Sequence, residues 1–181
     1  RAYRTLLMTT PGIEQHLSGV ILYDETIRQQ AENGTPFPEL LRERGIIPGI
    51  KVDKSTHDLA GFPGERITEG LDGLRPRLKE YHEMGARFAK WRAVITIGDG
   101  IPSLTCLTSN AEAMARYAAL CQEAGIVPIV EPEVLMDGSH SIETCETVTT
   151  ATLEETFSQL AAHRVLLEGL LLKPNMVVPG K

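Results

Sequence analysis

Five short apolar runs, separated by longer amphipathic stretches, constrain the fold of this chain more than any other feature. They are GVILY, GIIPGIKVD, FAKWRAV, IVPIVEPEVL and LLEGLLLKPNMV, at positions 19–23, 45–53, 88–94, 126–135 and 166–177. The runs recur at intervals of roughly 30 to 40 residues, the spacing at which strand-helix units follow one another in a parallel sheet. The sequence therefore predicts an α/β fold with parallel strands.

Amphipathic stretches between these runs predict helices. One has leucines at helical spacing from Leu71 onward, with Pro76 in its first turn, where proline is tolerated. A second runs from about Asn110 to Gly125, because glycine is a common helix stop. A third precedes the last apolar run, and its predicted buried face consists of Leu153, Phe157, Leu160 and Ala161.

The predicted architecture is an incomplete (β/α)8 TIM barrel. A complete βα barrel takes about 200 residues or more, and this chain has 181. No linker, repeat or low-complexity tract divides the sequence. We therefore expect one partial barrel domain over residues 1–181 that covers roughly strands 2 to 6, with one βα unit missing before it and more than one after it.

Composition excludes several classes of partner. A net charge of −6 and a pI near 5.4 argue against a general nucleic-acid surface or a polybasic membrane patch. The sequence has no apolar run near the roughly 20 residues of a membrane span and no signal-peptide pattern at its start, so we expect a cytoplasmic protein. Three cysteines and five histidines show no metal-ligand spacing, so we expect no metal site.

Charged residues are concentrated late in the apolar runs. Residues two apart in a strand share a face, and barrel active sites lie at the carboxyl ends of strands. The sequence therefore predicts that charged residues of four neighbouring strands lie together at one mouth of the barrel. They are Lys51 with Asp53, Lys90 with Arg92, Glu131 with Glu133, and Lys173.

Lys173 is the most informative of these residues. It follows residues 169–172, which read as a strand buried on both faces, so we expect this lysine to be buried as well. An ordinary lysine is less than about 0.1% neutral at pH 7, and burial or a neighbouring cation such as Lys90 favours the neutral amine. A neutral amine attacks a ketone to form a Schiff base.

The other charges suit the remaining steps of such a reaction. Glu131 and Glu133 can move the protons of carbinolamine formation and dehydration, while Lys51 and Arg92 can hold a phosphate. These parts predict a lyase that acts on a phosphorylated sugar. Two alternatives stay open, namely another imine-forming barrel enzyme, such as a transaldolase or a keto-acid aldolase, and a non-catalytic binding or scaffold protein.

At these residues the sequence resembles the class I fructose-bisphosphate aldolase family. The motifs GVILYDET, GIKVDK, LDGL followed by FAKWR, GIVPIVEPEVL and LEGLLLKPNMVVPG occur in the family's order over essentially the whole chain. The resemblance implies a βα barrel that forms homotetramers when full length and needs no metal or organic cofactor. It also implies reversible cleavage of fructose 1,6-bisphosphate to dihydroxyacetone phosphate and glyceraldehyde 3-phosphate, in glycolysis and gluconeogenesis.

The resemblance also implies a role for each residue. Lys173 matches the Schiff-base lysine, Glu131 the general acid/base, and Glu133 a carboxylate that tunes neighbouring lysines. Lys90 matches the lysine beside the imine. The substrate-binding positions of the family fall on Arg92 and Lys51, and we expect a structural role for Asp53.

Other residues of the family pattern are not matched in these 181 residues. They are an aspartate on the first barrel strand and, on the last strands, a serine-glycine segment and an arginine. We therefore expect the isolated chain to form some imine without turning over fructose 1,6-bisphosphate.

Overall fold

Seven β-strands and six α-helices make up the part of the chain that the computed structural model describes, residues 2–181. The strands are β1 (Gly19–Leu22), β2 (Ile47–Lys51), β3 (Thr56–Asp58), β4 (Arg66–Thr68), β5 (Phe88–Ile95), β6 (Val127–Val134) and β7 (Leu171–Leu172). The helices are α1 (Ala2–Thr9), α2 (Asp24–Ile27), α3 (Phe37–Glu43), α4 (Leu74–Glu83), α5 (Leu104–Glu123) and α6 (Ile142–Ala162).

Five of the strands form one parallel sheet in the order β1-β2-β5-β6-β7. Each of the five predicted runs contributes one strand, so the prediction of a parallel α/β sheet is confirmed. The β5–β6 pair is the longest, with eight residues in register from Phe88 opposite Val127 to Ile95 opposite Val134. This pair lies in the middle of the sheet and carries four of the predicted charges, Lys90, Arg92, Glu131 and Glu133.

The last strand is much shorter than predicted. Positions 167–169 form a 3-10 helix, and β7 contains only two residues, of which Leu171 is 54% exposed. The expectation of a strand buried on both faces is therefore wrong for this structure. The physical reason is that β7 lies at an edge of the sheet, with β6 as its single strand neighbour within residues 2–181.

Helices cover one face of the sheet and form the core with it. Alternate residues of the central strands, among them Ala89, Trp91 and Val130, are fully buried on this side. The Trp91 ring stacks on the Tyr117 ring of α5, with the ring centroids 5.4 Å apart. The charged residues occupy the other alternate positions of β5 and β6. Because the apolar side chains face the helices, the charged side chains face the opposite side of the sheet.

The boundaries of α4 and α5 follow local signals. Pro76 lies in the first turn of α4, as predicted, where its missing N–H costs nothing. Ser103 caps α5 by accepting a hydrogen bond from the Cys106 N–H at 3.1 Å. Gly125 follows the end of α5 with a φ of 70°, a conformation that favours glycine and stops the helix.

The buried face of α6 differs from the predicted one. Phe157 is 38% exposed, and Leu153 and Ala161 are not in the core either, so only Leu160 of the predicted face is buried. The buried face is instead rich in threonine and consists of Cys145, Thr149, Thr152, Thr156 and Leu160. Threonine is tolerated there because the Thr152 and Thr156 hydroxyls donate to backbone carbonyls four residues earlier, which leaves their methyl groups to pack.

A two-stranded antiparallel hairpin, β3–β4, follows β2 at the carboxyl end of the sheet and was not predicted. The buried side chain of Asn110 on α5 holds it in place. This side chain accepts from the Thr68 N–H at 3.2 Å and donates to the Arg66 carbonyl at 2.8 Å. The hairpin is also bound to β5, because the Thr68 hydroxyl donates to the Arg92 carbonyl at 2.8 Å.

Two further predictions concern whole classes of site. No helix within residues 2–181 is long and apolar enough to cross a membrane. Across the same residues, no group of three or more His, Cys, Asp and Glu side chains has the geometry to hold a metal ion. The three cysteines are free and buried.

Candidate active site

The predicted site residues lie on one face of the main sheet, opposite the face that the helices within residues 2–181 cover. They extend from the middle of β5, where Lys90 is the third of eight residues, to the ends of β2 and β7, so Lys90 lies earlier in its strand than predicted. Register explains how they meet. Lys51 of β2 is opposite Lys90 of β5, and Arg92 is opposite Glu131 of β6. The Lys173 N–H donates to the Val130 carbonyl at 2.9 Å, which continues the β6–β7 ladder and aligns Lys173 with Glu131.

Glu131 is the centre of this group. Its side chain is 3% exposed, and its two carboxylate oxygens face different lysines. The Lys173 Nζ is in direct contact with Oε1, and the Lys90 Nζ lies 2.8 Å from Oε2. Burial acts to raise the pKa of Glu131, but hydrogen bonds and charges from Lys173 and Lys90 outweigh burial, so the pKa is lowered. The Glu131 carboxylate is therefore ionised at neutral pH.

Lys173 itself is not buried, contrary to the prediction. Its side chain is 61% exposed, whereas Lys90 is 17% exposed. The reason is again the position of β7 at the sheet edge, since the side chain of Lys173 has a strand neighbour only on its β6 side within the described residues. The buried partner of the pair is therefore the Glu131 carboxylate.

The remaining charges form two further ion pairs. Arg92 donates from Nε to Glu133, and this hydrogen bond is the main reason that the pKa of Arg92 is raised. Lys51 contacts the buried carboxylate of Asp53, which also accepts from the Ser55 N–H at 3.3 Å. The structural role predicted for Asp53 agrees with these contacts, because it holds both the lysine and the loop after β2.

The whole cluster is positive in an acidic chain. Its four cations, Lys51, Lys90, Arg92 and Lys173, exceed its three carboxylates, Asp53, Glu131 and Glu133, by one charge, whereas the chain as a whole has a net charge of −6. Arg92 is 41% exposed and Lys51 21% exposed, so both remain accessible from the open face. A positive, partly exposed cluster of this kind favours an anionic ligand.

Two residues of the site were not found from the sequence. Tyr23 at the end of β1 places its ring under the Lys51 ammonium, with Nζ 5.8 Å from the ring centroid. Asn175, two residues after Lys173, accepts from the Val134 N–H at 3.1 Å. The period of two in a strand could have indicated Tyr23, since it lies two residues beyond the exposed Ile21. No sequence signal separated Asn175 from an ordinary turn residue.

The comparisons with known proteins agree on one family. The family model for fructose-bisphosphate aldolase class-I matches residues 1–181. A probable fructose-bisphosphate aldolase class 1 from Xanthomonas axonopodis pv. citri is 63% identical over 181 residues, which are all of this chain and 54% of the relative. A cytosolic fructose-bisphosphate aldolase from Arabidopsis thaliana is 58% identical over 180 residues, which are 99% of this chain and 50% of the relative.

A solved structure of fructose-bisphosphate aldolase from Plasmodium falciparum resembles the fold closely. The TM-score is 0.96 at 50% sequence identity, over 98% of this chain and 52% of that chain. This likeness confirms the prediction of a partial (β/α)8 TIM barrel. The chain spans about half the length of the curated relatives it matches. With a family model that matches every residue and relatives of this similarity, the chain belongs to the class I fructose-bisphosphate aldolase family.

Proposed function

We propose that this chain carries the imine-forming part of a class I fructose-bisphosphate aldolase site, with Lys173 as the nucleophile. The observation that carries the proposal is the position of Glu131 between Lys173 and Lys90. An ionised carboxylate in contact with an ammonium can remove the proton that prevents the amine from attacking a carbonyl. The second lysine supplies a positive charge that disfavours a charged Lys173.

The proposed reaction begins with a proton transfer from the Lys173 ammonium to Glu131. The nitrogen lone pair then forms a bond to the ketone carbon as the C=O π bond breaks, which leaves a positive nitrogen and a negative oxygen. Transfer of one proton from this nitrogen to the oxygen gives a neutral carbinolamine, while Glu131 keeps its own proton. Glu131, now protonated, donates to the hydroxyl group as the C–O bond breaks. Water leaves, the nitrogen lone pair forms the C=N bond, and Glu131 returns to its ionised state.

Arg92 and Lys51 are proposed to bind the phosphate groups of the substrate. Both are held on the open face of the sheet by carboxylates, Arg92 by Glu133 and Lys51 by Asp53. A phosphate can replace a carboxylate as the partner of a guanidinium, because both offer two oxygens to its planar donors. Glu133 is then free to interact with the neighbouring lysines, in the tuning role that the family resemblance implies.

The proposed substrate is fructose 1,6-bisphosphate, cleaved reversibly to dihydroxyacetone phosphate and glyceraldehyde 3-phosphate by the full-length protein. Support comes from the family and from relatives that are named fructose-bisphosphate aldolases. We also propose one barrel domain, a cytoplasmic location and a homotetramer for the full-length protein. The location is supported by relatives named cytosolic or cytoplasmic.

Trapping of the imine tests the proposal directly. The protein is incubated with dihydroxyacetone phosphate and sodium borohydride, and the reduced adduct is mapped by peptide mass spectrometry. We expect the adduct on Lys173, loss of that adduct in Lys173→Met, and a decrease of about 100-fold in the trapping rate in Glu131→Gln. Lys54→Met is the matched control, because Lys54 is an exposed lysine in the loop after β2. An adduct confined to other lysines, or none at all, refutes the assignment.

A further inference from the structure

The attachment of Lys173 to the sheet is unusually short. β7 has two residues in register with β6, Leu171 opposite Ile129 and Leu172 opposite Val130. One more ladder bond follows, from the Lys173 N–H to the Val130 carbonyl. The next ladder bond would run from residue 132 of β6 to the Lys173 carbonyl, but Pro132 has no N–H, so the backbone ladder does not continue there. Three residues of pairing alone are a weak restraint on the direction of the Lys173 side chain.

The side chain of Asn175 restores the missing connection. Its Oδ1 accepts from the backbone N–H of Val134, the last residue of β6, at 3.1 Å. Its Nδ2 donates to the hydroxyl of Thr149 at 3.0 Å, and Thr149 lies on the buried face of α6. One amide group therefore joins the segment after Lys173 to both the neighbouring strand and the covering helix.

We propose that Asn175 is a positioning residue that keeps Lys173 in contact with Glu131. The Lys173 side chain lies between two attachments to β6, namely its own N–H on Val130 and the Asn175 amide on Val134. These attachments span Glu131 on the facing strand. Further along, Gly180 and Lys181 donate to the His140 and Met136 carbonyls beyond β6. Without the Asn175 amide, the segment 174–179 loses its hydrogen bonds to β6 and α6 between these anchors, and Lys173 can turn away from Glu131. The consequence for catalysis rests on the proposed function, whereas the consequence for the ion pair does not.

Competitive acylation of lysines measures the ion pair without any substrate. The protein is treated with a trace of acetic anhydride at neutral pH, and the rate at each lysine is read by mass spectrometry, with exposed Lys54 as the internal reference. Relative to the parent protein, Glu131→Gln should raise the ratio of the acetylation rate of Lys173 to that of Lys54 by about fivefold, because an ion-paired ammonium is less reactive. Asn175→Leu should produce the same increase, and adding Glu131→Gln to Asn175→Leu should change the ratio no further.

A purely structural role for Asn175 predicts a different outcome. In that case Asn175→Leu lowers the urea midpoint, but the ratio of the Lys173 to the Lys54 acetylation rate is the same as in the parent. Adding Glu131→Gln then still raises this ratio. That result overturns the proposal. If Asn175→Leu does not fold, two milder variants replace it. Thr149→Val removes the acceptor of the Nδ2 hydrogen bond, together with the contact of the Thr149 hydroxyl with the Cys145 thiol, and Asn175→Asp keeps the acceptor for the Val134 N–H but loses the Nδ2 donor. In both variants the Lys173 to Lys54 rate ratio should lie between those of the parent and of Asn175→Leu. If neither variant raises the ratio, the proposal is also overturned.

The two proposals fail in different ways. Absence of a trapped adduct on Lys173 in the parent protein refutes the imine-forming function and leaves the acylation result intact. A trapped adduct that forms equally fast in the parent and in Asn175→Leu, together with an unchanged acylation ratio, refutes the positioning role alone.

Discussion

Glu131→Gln should destabilise the fold by an amount that depends on pH. Breaking a buried ion pair costs about 3–5 kcal/mol, whereas an exposed pair contributes about 0–1 kcal/mol. The Lys90–Glu131 pair is a buried pair, because its two side chains are 17% and 3% exposed. The Lys173–Glu131 pair is closer to an exposed pair, because Lys173 is 61% exposed. Glutamine keeps one oxygen acceptor for the lysines. We therefore expect a loss of about 3 kcal/mol at pH 7, the lower end of the buried-pair range, nearly all of it through Lys90.

The sign of the pH dependence follows from the pKa of Glu131. Burial alone would raise this pKa, but the hydrogen bonds from Lys173 and Lys90 lower it below the ordinary value of 4.5 in the folded state. The ionised form then adds stability above the unfolded pKa, and this stability is lost as the pH falls through the folded pKa. The difference between the parent and Glu131→Gln should stay constant from about pH 7 to about pH 5 and narrow below 4.5.

Urea unfolding monitored by fluorescence suits this measurement. Trp91 is the single tryptophan, it is fully buried, and it stacks on Tyr117, so its emission reports the loss of the core. Glu154→Gln on the exposed face of α6 is the matched control, with an expected change within about 0.5 kcal/mol. A difference below about 1 kcal/mol at pH 7, or one that does not narrow in acid, would contradict the reasoning.

Four further outcomes are expected. Gly49→Ala should cost about 1–3 kcal/mol in urea unfolding, because a Cβ at this position overlaps the Phe88 ring; an unchanged midpoint would show that the ring moves freely. Asn110→Ala should cost about 1–3 kcal/mol and speed hydrogen exchange at the Thr68 amide, while equal exchange rates would contradict its role as the anchor of the hairpin. Thiol reagents at pH 8 should not modify Cys106 until denaturant is added, since burial raises its pKa to about 11, and rapid labelling of the native protein would argue against that burial. The isolated 181-residue chain should give a borohydride-trapped adduct without cleaving fructose 1,6-bisphosphate, and measurable cleavage in a coupled assay would overturn this expectation.

Much of the sheet could be predicted because burial follows simple periods. The strands at 19–23, 45–53, 88–94 and 126–135 were found from apolar runs, and the structure keeps them within a few residues. The end of helix α5 was predictable because its buried residues recur at helical spacing and glycine follows it. Its start was placed too late, at about Asn110, because the cap at Ser103 was not recognised and the helix begins at Leu104. The third helix was found, but its buried face was not, since threonine is polar in composition and becomes buried only when its hydroxyl finds a carbonyl on the same helix.

The hairpin was missed for a related reason. β3 and β4 have three residues each, and no apolar alternation marks them. What holds them is the amide of Asn110, forty or more residues away along the chain. A contact at that separation has no local signature, so only the folded chain reveals it.

Which residues face the open side of the sheet follows from the sequence alone, because the period of two in a strand separates Lys90 and Arg92 from buried Trp91. Which charges meet follows from the packed sheet instead. The strand register sets Lys173 and Lys90 on either side of Glu131, and the edge position of β7 leaves Lys173 exposed while Glu131 is buried. Both facts depend on the alignment and number of neighbouring strands, a property of the packed sheet that no single segment carries.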